Sequence, residues 1–376
     1  MRLLVITELF LPTKGGTAVW FAEVYRRLGG KEIHIVTADV PGAEKVDAAH
    51  PNTLHRLTLK RLPWLKPESL TMYAKLFFKS LALALSHRFM AIHAGRALPE
   101  GLVAWLVARL TFRPVVIYAH GEELTSWGKG GKFKAMRFAL RHADTVIANS
   151  DNTRAELLRM SVSADRIALI NPGVDVECFH PELPCVGLRE QIGMMPNQKL
   201  ILSVGRLSRR KGFDKVVQSI PLLRAQGLDM HYALIGIGED RKYLEELACE
   251  LNVTEFVHLL GHVSPEDLPR WYNACDVFAM PNREISGDNE GFGMVFIEAA
   301  ACGKPAISGQ AGGTGSAVVD GETGLRIDGN STEAVADALA TVLYDQALAE
   351  RFGRAGYERT HRDFSWEAVA ARTQRL

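Results

Sequence analysis

Two glutamates, Glu290 and Glu298, frame the segment EGFGMVFIEAAACGKP at residues 290–305. Gly291 and Gly293 flank Phe292 between them, and an apolar, alanine-rich run follows from Met294. That run predicts a helix beginning near Gly293. Glu298 then sits about one helical turn inside it, and Glu290 lies in the loop ahead. Carboxylates accept hydrogen bonds from sugar hydroxyls, and the free N–H groups at a helix start suit a phosphate. Either acid alone would read as an ordinary surface glutamate; the two together with the paired glycines point to one pocket for a sugar and an anion.

A cationic counterpart lies in VGRLSRRKG, residues 204–212. Arg206 and Lys211 follow the strand pattern Leu200–Gly205 and precede a helical pattern that opens at Phe213. Two cations at a strand end suit a diphosphate, each charge-assisted hydrogen bond contributing about 1.5–3 kcal/mol. Solvated loop charge is an equal reading of the same run, and Arg209 and Arg210 are expected to be solvated. Near the N-terminus, LPTKGGTAVW places Gly15 and Gly16 between the first strand and the first helix. Backbone can approach a ligand closely there and offer N–H groups to an anion, although a plain strand–helix turn would look the same. Ile235–Gly238 predicts a second close approach, at Gly236. It lacks the third glycine of a dinucleotide fingerprint, position 241 being Arg, and so argues against a nicotinamide cofactor.

These residues need a scaffold that brings strand ends together. Strand patterns run at Leu3–Thr7, Ile33–Thr37, Met90–His93, Val115–His120, Thr145–Ala148 and Ile167–Ile170. A second set runs at Leu200–Gly205, His231–Gly236, Phe256–Leu259, Val277–Met280 and Pro305–Ser308. Helical patterns such as Phe213–Gln226, Asp240–Leu251 and Ser331–Leu343 lie between strands. Strand alternating with helix predicts an α/β fold with parallel sheets covered on both faces, here as two doubly wound domains. The turn residues Asn171, Pro172 and Gly173 mark the boundary, which divides the chain into 1–175 and 176–363, with a short helical pattern at 364–376 opened by Ser365. Such sheets bind ligands at the carboxyl ends of their strands. His120 closes a strand pattern and stands where a site residue belongs.

Lys plus Arg total 44 and Asp plus Glu total 43, a balance with no overall signal for nucleic acid. Residues 1–180 are net basic and the remainder net acidic. The first half therefore faces an anionic partner, or the two halves attract each other. Five scattered cysteines without a C-x-x-C pair fit a reducing compartment and no zinc site. The N-terminal MRLLVITELF lacks a signal-peptide layout and reads as a strand. No apolar run approaches the ~18 residues of a membrane span. The expected localisation is cytoplasmic, with a place at the inner face of the membrane.

VGRLSRRKG, EGFGMVFIEAAACGKP and GGTGSAVVDGETG at residues 312–324 closely resemble the retaining glycosyltransferases of family 4. The resemblance spans the chain with the motifs in the expected order. It implies the GT-B fold, two Rossmann-like doubly wound domains facing a central cleft, with the final helix packing back on the first domain. By motif, Arg206 and Lys211 would hold the donor diphosphate, Glu290 the donor sugar hydroxyls and Glu298 the ribose hydroxyls. Gly291, Phe292, Gly293, Met294 and Val295 would meet sugar and phosphate through backbone, and Val263 would meet the base. Gly16 would approach the diphosphate, and His120, in HGEE, would stand near the reacting sugar. The nucleotide sugar is a substrate; no cofactor and no metal are expected, since cations replace the metal and no Asp-x-Asp motif lies on a strand end.

The loop PNREISGDNEGFG, residues 281–293, looks like that of mannosyltransferases acting on lipid-linked acceptors. GDP-mannose is therefore the expected donor, with a UDP-hexose or UDP-GlcNAc as the alternative. The acceptor is expected to be a glycan or lipid-linked hydroxyl held against the first domain. Leu70–Met90, apolar and aromatic with Lys75 and Lys79 on one face, reads equally as a helix resting on an anionic bilayer and as a core helix with a basic edge. Phe133–Leu140, flanked by Lys132, Lys134, Arg137 and Arg141, adds basic surface. Competing readings are a nucleotide-sugar epimerase, a polysaccharide synthase of the same fold and a non-catalytic two-domain sugar-binding protein.

Overall fold

The computed structural model describes residues 1–13, 15–59, 70–126 and 130–376. Lys14, and Lys60, Arg61, Lys66 and Glu68 of the basic stretch ahead of the Leu70–Met90 segment, lie outside the described residues. The chain divides into two compact units: Met1–Pro172 with Trp366–Leu376, and Gly173–Ser365.

The first unit carries seven strands: β1 (Leu3–Ile6), β2 (Ile33–Ala38), β3 (Thr53–Leu57), β4 (Ala91–Ala94), β5 (Val115–Ala119), β6 (Thr145–Ala148) and β7 (Ile167–Leu169). The second carries six: β8 (Lys199–Val204), β9 (Met230–Ile235), β10 (Val257–Gly261), β11 (Val277–Met280), β12 (Ala306–Gly309) and β13 (Gly324–Ile327). Their orders are 3-2-1-4-5-6-7 and 10-9-8-11-12-13, and every pairing within the two sheets is parallel. The central strands, VVIYA in β5 and VFAM in β11, are buried along their whole length. Helices cover both faces of a parallel sheet, which is why such strands read as unbroken apolar runs.

Two strands escaped the sequence pattern. β3 (TLHRL) is an edge strand with every residue half-buried, so it shows no apolar run. β13 (GLRI) is short, starts at a glycine and lies at the other sheet's edge.

Each order reverses once, between β1 and β4 and between β8 and β11. At such a switch point the neighbouring loops leave toward opposite faces and open a crevice beyond the strand ends. Some helices away from these points are capped by side chains: Ser150 accepts from Thr153 N at 3.2 Å and Ser331 from Ala334 N at 3.1 Å. The helices beside the switch points, Gly16–Leu28, Phe213–Ala225 and Met294–Ala301, start instead after Gly15, Gly212 and Gly293, with no side-chain cap. The final helix Trp366–Gln374 belongs to the first unit, where Arg27 Nε lies 2.7 Å from Glu367 Oε1.

Candidate active site

In the second unit the loops after β8 and β11 flank the switch point. The first of them tightens into a single 3₁₀ turn, Arg209–Lys211, and then turns at Gly212 with φ 74°. A Cβ at Gly212 would lie 2.0 Å from the carbonyl oxygen of Pro281, so only glycine lets the two loops touch. Arg283 N donates to Arg210 O at 2.8 Å, and Arg283 Nη2 reaches Asp214 Oδ2 at 2.8 Å in a buried ion pair. These contacts seat the β11 loop on the β8 loop and bring Glu290 to Lys211.

Lys211 Nζ donates to Glu290 Oε2, and Arg210 Nη1 donates to the same oxygen at 3.0 Å. Arg210 also pairs with Asp288 at 3.2 Å. The side chains of Lys211 and Glu290 are only 11% and 13% exposed, so little water screens them. Burial works against ionisation of Glu290, but the charges of Lys211 and Arg210 outweigh it and hold its carboxyl below the usual range. One buried carboxylate is thus fixed by two cations from the neighbouring loop. Arg210 is therefore not solvated as its place in a basic run suggested, and Arg209 stacks on Tyr243, 3.6 Å from the ring centroid. Three consecutive basic residues in a tight turn point different ways, which the sequence alone does not resolve.

Helix Met294–Ala301 starts at Gly293, whose φ of 88° and closeness to the Phe296 ring both require glycine. Phe292 is buried against Phe364 at 5.8 Å, so its side chain anchors the loop and only its backbone is available to a ligand. Glu298 lies in this helix and accepts 2.7 Å from the Tyr272 hydroxyl. Burial raises its carboxyl pKa, and the Tyr272 bond works the other way. Arg206 also follows β8, but it is three-quarters exposed and pairs with Glu239 at 3.2 Å. Gly236 follows β9, and the room its Cβ would need is filled by the Gly205 carbonyl. Its close approach is therefore to the β8 loop. Val263, in the loop after β10, is half-buried against the core.

In the first unit the loops after β1, β4 and β5 meet around a pocket of about 210 Å³ whose lining includes Thr7, Thr17, Arg96, Glu100, His120 and Glu123. His120 Nε2 donates to Gly95 O at 2.7 Å. Its backbone N donates to Glu123 Oε1 at 2.9 Å, and Trp20 meets the ring edge-on at 5.7 Å. Gly16 opens its helix at the sheet's carboxyl end, after Gly15 with φ 134°.

Sequence reasoning passed over Arg96, Glu8 and Glu100. Arg96 Nε lies 3.1 Å from both Glu100 oxygens, Arg96 Nη2 reaches Glu8, and Glu8 N donates to Glu100 Oε1 at 2.9 Å. Burial raises the Glu100 carboxyl pKa although Arg96 opposes it. The available signal was positional: Glu8 follows β1, and Arg96 and Glu100, four residues apart, follow β4.

Two parallel α/β units with ligand-type residues gathered at their switch points constitute the GT-B class. Comparison with known proteins agrees. The description "Glycosyltransferase Family 4" matches residues 14–178 and "Glycosyl transferases group 1" matches residues 188–359. A GDP-mannose-dependent alpha-(1-6)-phosphatidylinositol monomannoside mannosyltransferase of Mycobacterium tuberculosis is 30% identical, over 99% of this chain and 96% of its own length. The protein of the same description from Mycolicibacterium smegmatis is 29% identical over 100% and 97%. A D-inositol 3-phosphate glycosyltransferase of Corynebacterium urealyticum is 34% identical over 72% and 67%. The fold of Anabaena HepE, solved with UDP, superposes with a TM-score of 0.84 at 20% identity, over 100% of this chain and 99% of that one. The chain belongs to glycosyltransferase family 4, and it is a glycosyltransferase.

Proposed function

We propose that the chain is a retaining, metal-independent transferase that moves mannose from GDP-mannose to a hydroxyl of a lipid-linked glycan acceptor, on the cytoplasmic side of a membrane. The observation that carries this reading is the pair of cations, Lys211 and Arg210, on one oxygen of Glu290 at the second unit's switch point. With Oε2 occupied, Oε1 accepts from a hydroxyl of the donor hexose. An ammonium has three donors, so Lys211 can keep Glu290 and still bind phosphate. Arg206 and the uncapped helix start at Gly293 supply further positive ends for the diphosphate. Glu298, oriented by Tyr272, takes the ribose hydroxyls, and the backbone of Val263 meets the base.

The acceptor oxygen attacks the anomeric carbon on the face that the diphosphate leaves. The bond from that carbon to the diphosphate oxygen breaks, and the acceptor proton passes to the departing diphosphate. The protein contributes orientation and stabilisation of the charge that grows on the leaving group. The choice of mannose and guanosine is supported by the descriptions of the relatives, and the choice of a lipid-borne acceptor by those descriptions and by the basic, apolar outer helices of the first unit.

The test is a panel of nucleotide sugars incubated without acceptor, scored by release of nucleoside diphosphate. GDP-mannose should be consumed fastest. Turnover of UDP-glucose or UDP-GlcNAc with GDP-mannose left intact would overturn the donor, and interconversion of the donor sugar without transfer would favour an epimerase.

A further inference from the structure

Two consecutive residues of the loop after β11, Asn282 and Arg283, are buried and reach to opposite neighbours. Asn282 donates from Nδ2 to Ala311 O at 2.8 Å and accepts at Oδ1 from Gly309 N at 3.1 Å, both where β12 ends. Arg283 donates from Nη2 to Asp214 Oδ1 at 3.0 Å and Oδ2 at 2.8 Å, and Asp214 lies in the first turn of the helix after β8. β11 stands between β8 and β12, so one side chain fastens the loop to each flank. The backbone is pressed from both sides as well. A Cβ on Gly309 would lie 1.7 Å from the Asn282 carbonyl oxygen, as one on Gly212 would meet Pro281.

Beyond Arg283 the chain makes a tight turn, in which Ile285 and Asp288 exchange backbone bonds of 2.9 Å, and arrives at Glu290. Glu290 O accepts from Gly313 N at 2.7 Å, in the same β12 loop that Asn282 holds at Ala311. The short segment that carries Glu290 is thus fixed at both ends. Asn282, Arg283 and Asp214 are at least nine-tenths buried. A buried ion pair is in itself a weak source of stability, because desolvation offsets much of the attraction. What such bonds supply beneath a loop is geometry: a ligand-binding carboxylate on a loop stands in place only if the groups behind it are locked.

We propose that Asn282 and Arg283, with Asp214, are positioning residues that touch no substrate and act through Glu290, setting its carboxylate against Lys211. The proposal rests on the transferase reading for what Glu290 grips, but not for where Glu290 stands.

The experiment has a structural arm and a kinetic arm, both on the full chain. Removing Arg283 alone would leave Asp214 charged and buried, so the pair is neutralised together as Asp214→Asn with Arg283→Gln; Asn282→Ala removes the other brace. Crystal structures of both variants should show Glu290 Oε2 beyond hydrogen-bond reach of Lys211 Nζ, more than about 3.5 Å away, with the sheet unchanged. With GDP-mannose as the probe, each variant should lose about tenfold or more in kcat/KM, since a misplacement of about 1 Å can cost about 10²-fold. Arg283→Lys, which keeps a cation against Asp214, should recover most of that loss. On a Glu290→Gln background the same changes should cost no more than about twofold, because their effect passes through the carboxylate already removed. Glu290 still seated on Lys211 in both variants, additive losses on the Glu290→Gln background, or loss of the fold in both variants overturns the proposal. A wild-type chain that consumes neither GDP-mannose nor a UDP-sugar would count against the transferase reading, and the crystal structures would still decide the positioning.

Discussion

Arg210 Nη1 lies 3.0 Å from Glu290 Oε2, the oxygen that also receives Lys211. The two cations share one acceptor, yet they are not equivalent. Arg210 is also tied to Asp288 and to the backbone of Asn289 and so holds the loop, whereas the Lys211 ammonium keeps donors for a ligand. Lys211→Ala should lower kcat at saturating donor by about 10²–10³-fold, the usual effect of removing a preorganised donor at a charge that develops in the transition state. Arg210→Gln should act mainly on donor KM, through the loop. Near-normal turnover of Lys211→Ala, with circular dichroism unchanged, would remove Lys211 from the mechanism.

Glu298 offers a prediction with a different signature. Its carboxylate is buried and its pKa raised by that burial, and the 2.7 Å bond from Tyr272 is what offsets it. Tyr272→Phe leaves a buried acceptor without its donor, a change that costs about 1–3 kcal/mol. If Glu298 grips ribose, donor KM should rise about tenfold or more with kcat little altered, because the interaction is made equally in ground and transition states. The wild type should discriminate against a ribose-deoxy donor, and Glu298→Gln should lose much of that discrimination. Equal discrimination in both would place Glu298 elsewhere.

Much of this site was legible because doubly wound sheets collect their ligand residues at strand ends. Eleven strand patterns were visible as apolar runs; Arg206, Lys211 and Glu290 follow them, and His120 closes one. What stayed hidden depends on three-dimensional direction. Nothing in the run Arg209–Lys211 tells that the second arginine turns to Glu290 while the first covers Tyr243. The Glu8–Arg96–Glu100 cluster joins two loops about ninety residues apart in the chain, and neither loop carries a dense motif. Edge strands such as β3 failed for a related reason, since a strand covered on one side only has no unbroken apolar signature.

The stability of the protein should fall on mild acidification. His93 is buried on β4, with Nδ1 2.8 Å from the Tyr25 hydroxyl, and burial pushes its pKa down from 6.5 to about 4. Between those values the unfolded chain binds a proton that the folded chain refuses. Stability contributed at neutral pH is therefore lost as pH falls from about 6.5 toward 4, by up to about 1.4 kcal/mol per pH unit for this one group. His55 and His258, both lowered to about 4 chiefly by burial, act in the same direction. Urea unfolding at pH 7 and pH 5 should show the loss, and His93→Gln should reduce its slope. A midpoint that does not move between the two pH values would contradict the buried, neutral imidazole.

The outer helices of the first unit make the membrane prediction concrete. Leu70–Ser86 and Leu102–Thr111 pack on each other. The first exposes Phe78 (67%) and Leu85 (72%), and the second exposes Leu106 (41%) and Leu110 (57%) and is followed by Phe112 at 93%. Between residues 70 and 121 Glu100 is the one acid, and it is buried. The water-facing surface of this segment thus combines large apolar side chains with Lys75, Lys79, Arg109 and Arg113, the composition that suits an anionic bilayer. Neither helix is long and apolar enough to cross a membrane, so binding would be from one side. Burying a leucine or phenylalanine side chain is worth about 1.5–3 kcal/mol, and about 1.4 kcal/mol is tenfold in affinity. Leu110→Asp with Phe112→Asp should therefore lower binding to phosphatidylglycerol vesicles at least tenfold in a sedimentation assay at low salt. Raising the salt to screen the basic residues should weaken the wild type as well. A wild-type chain that stays in the supernatant at low salt would sink this reading and with it the structural support for a lipid-borne acceptor.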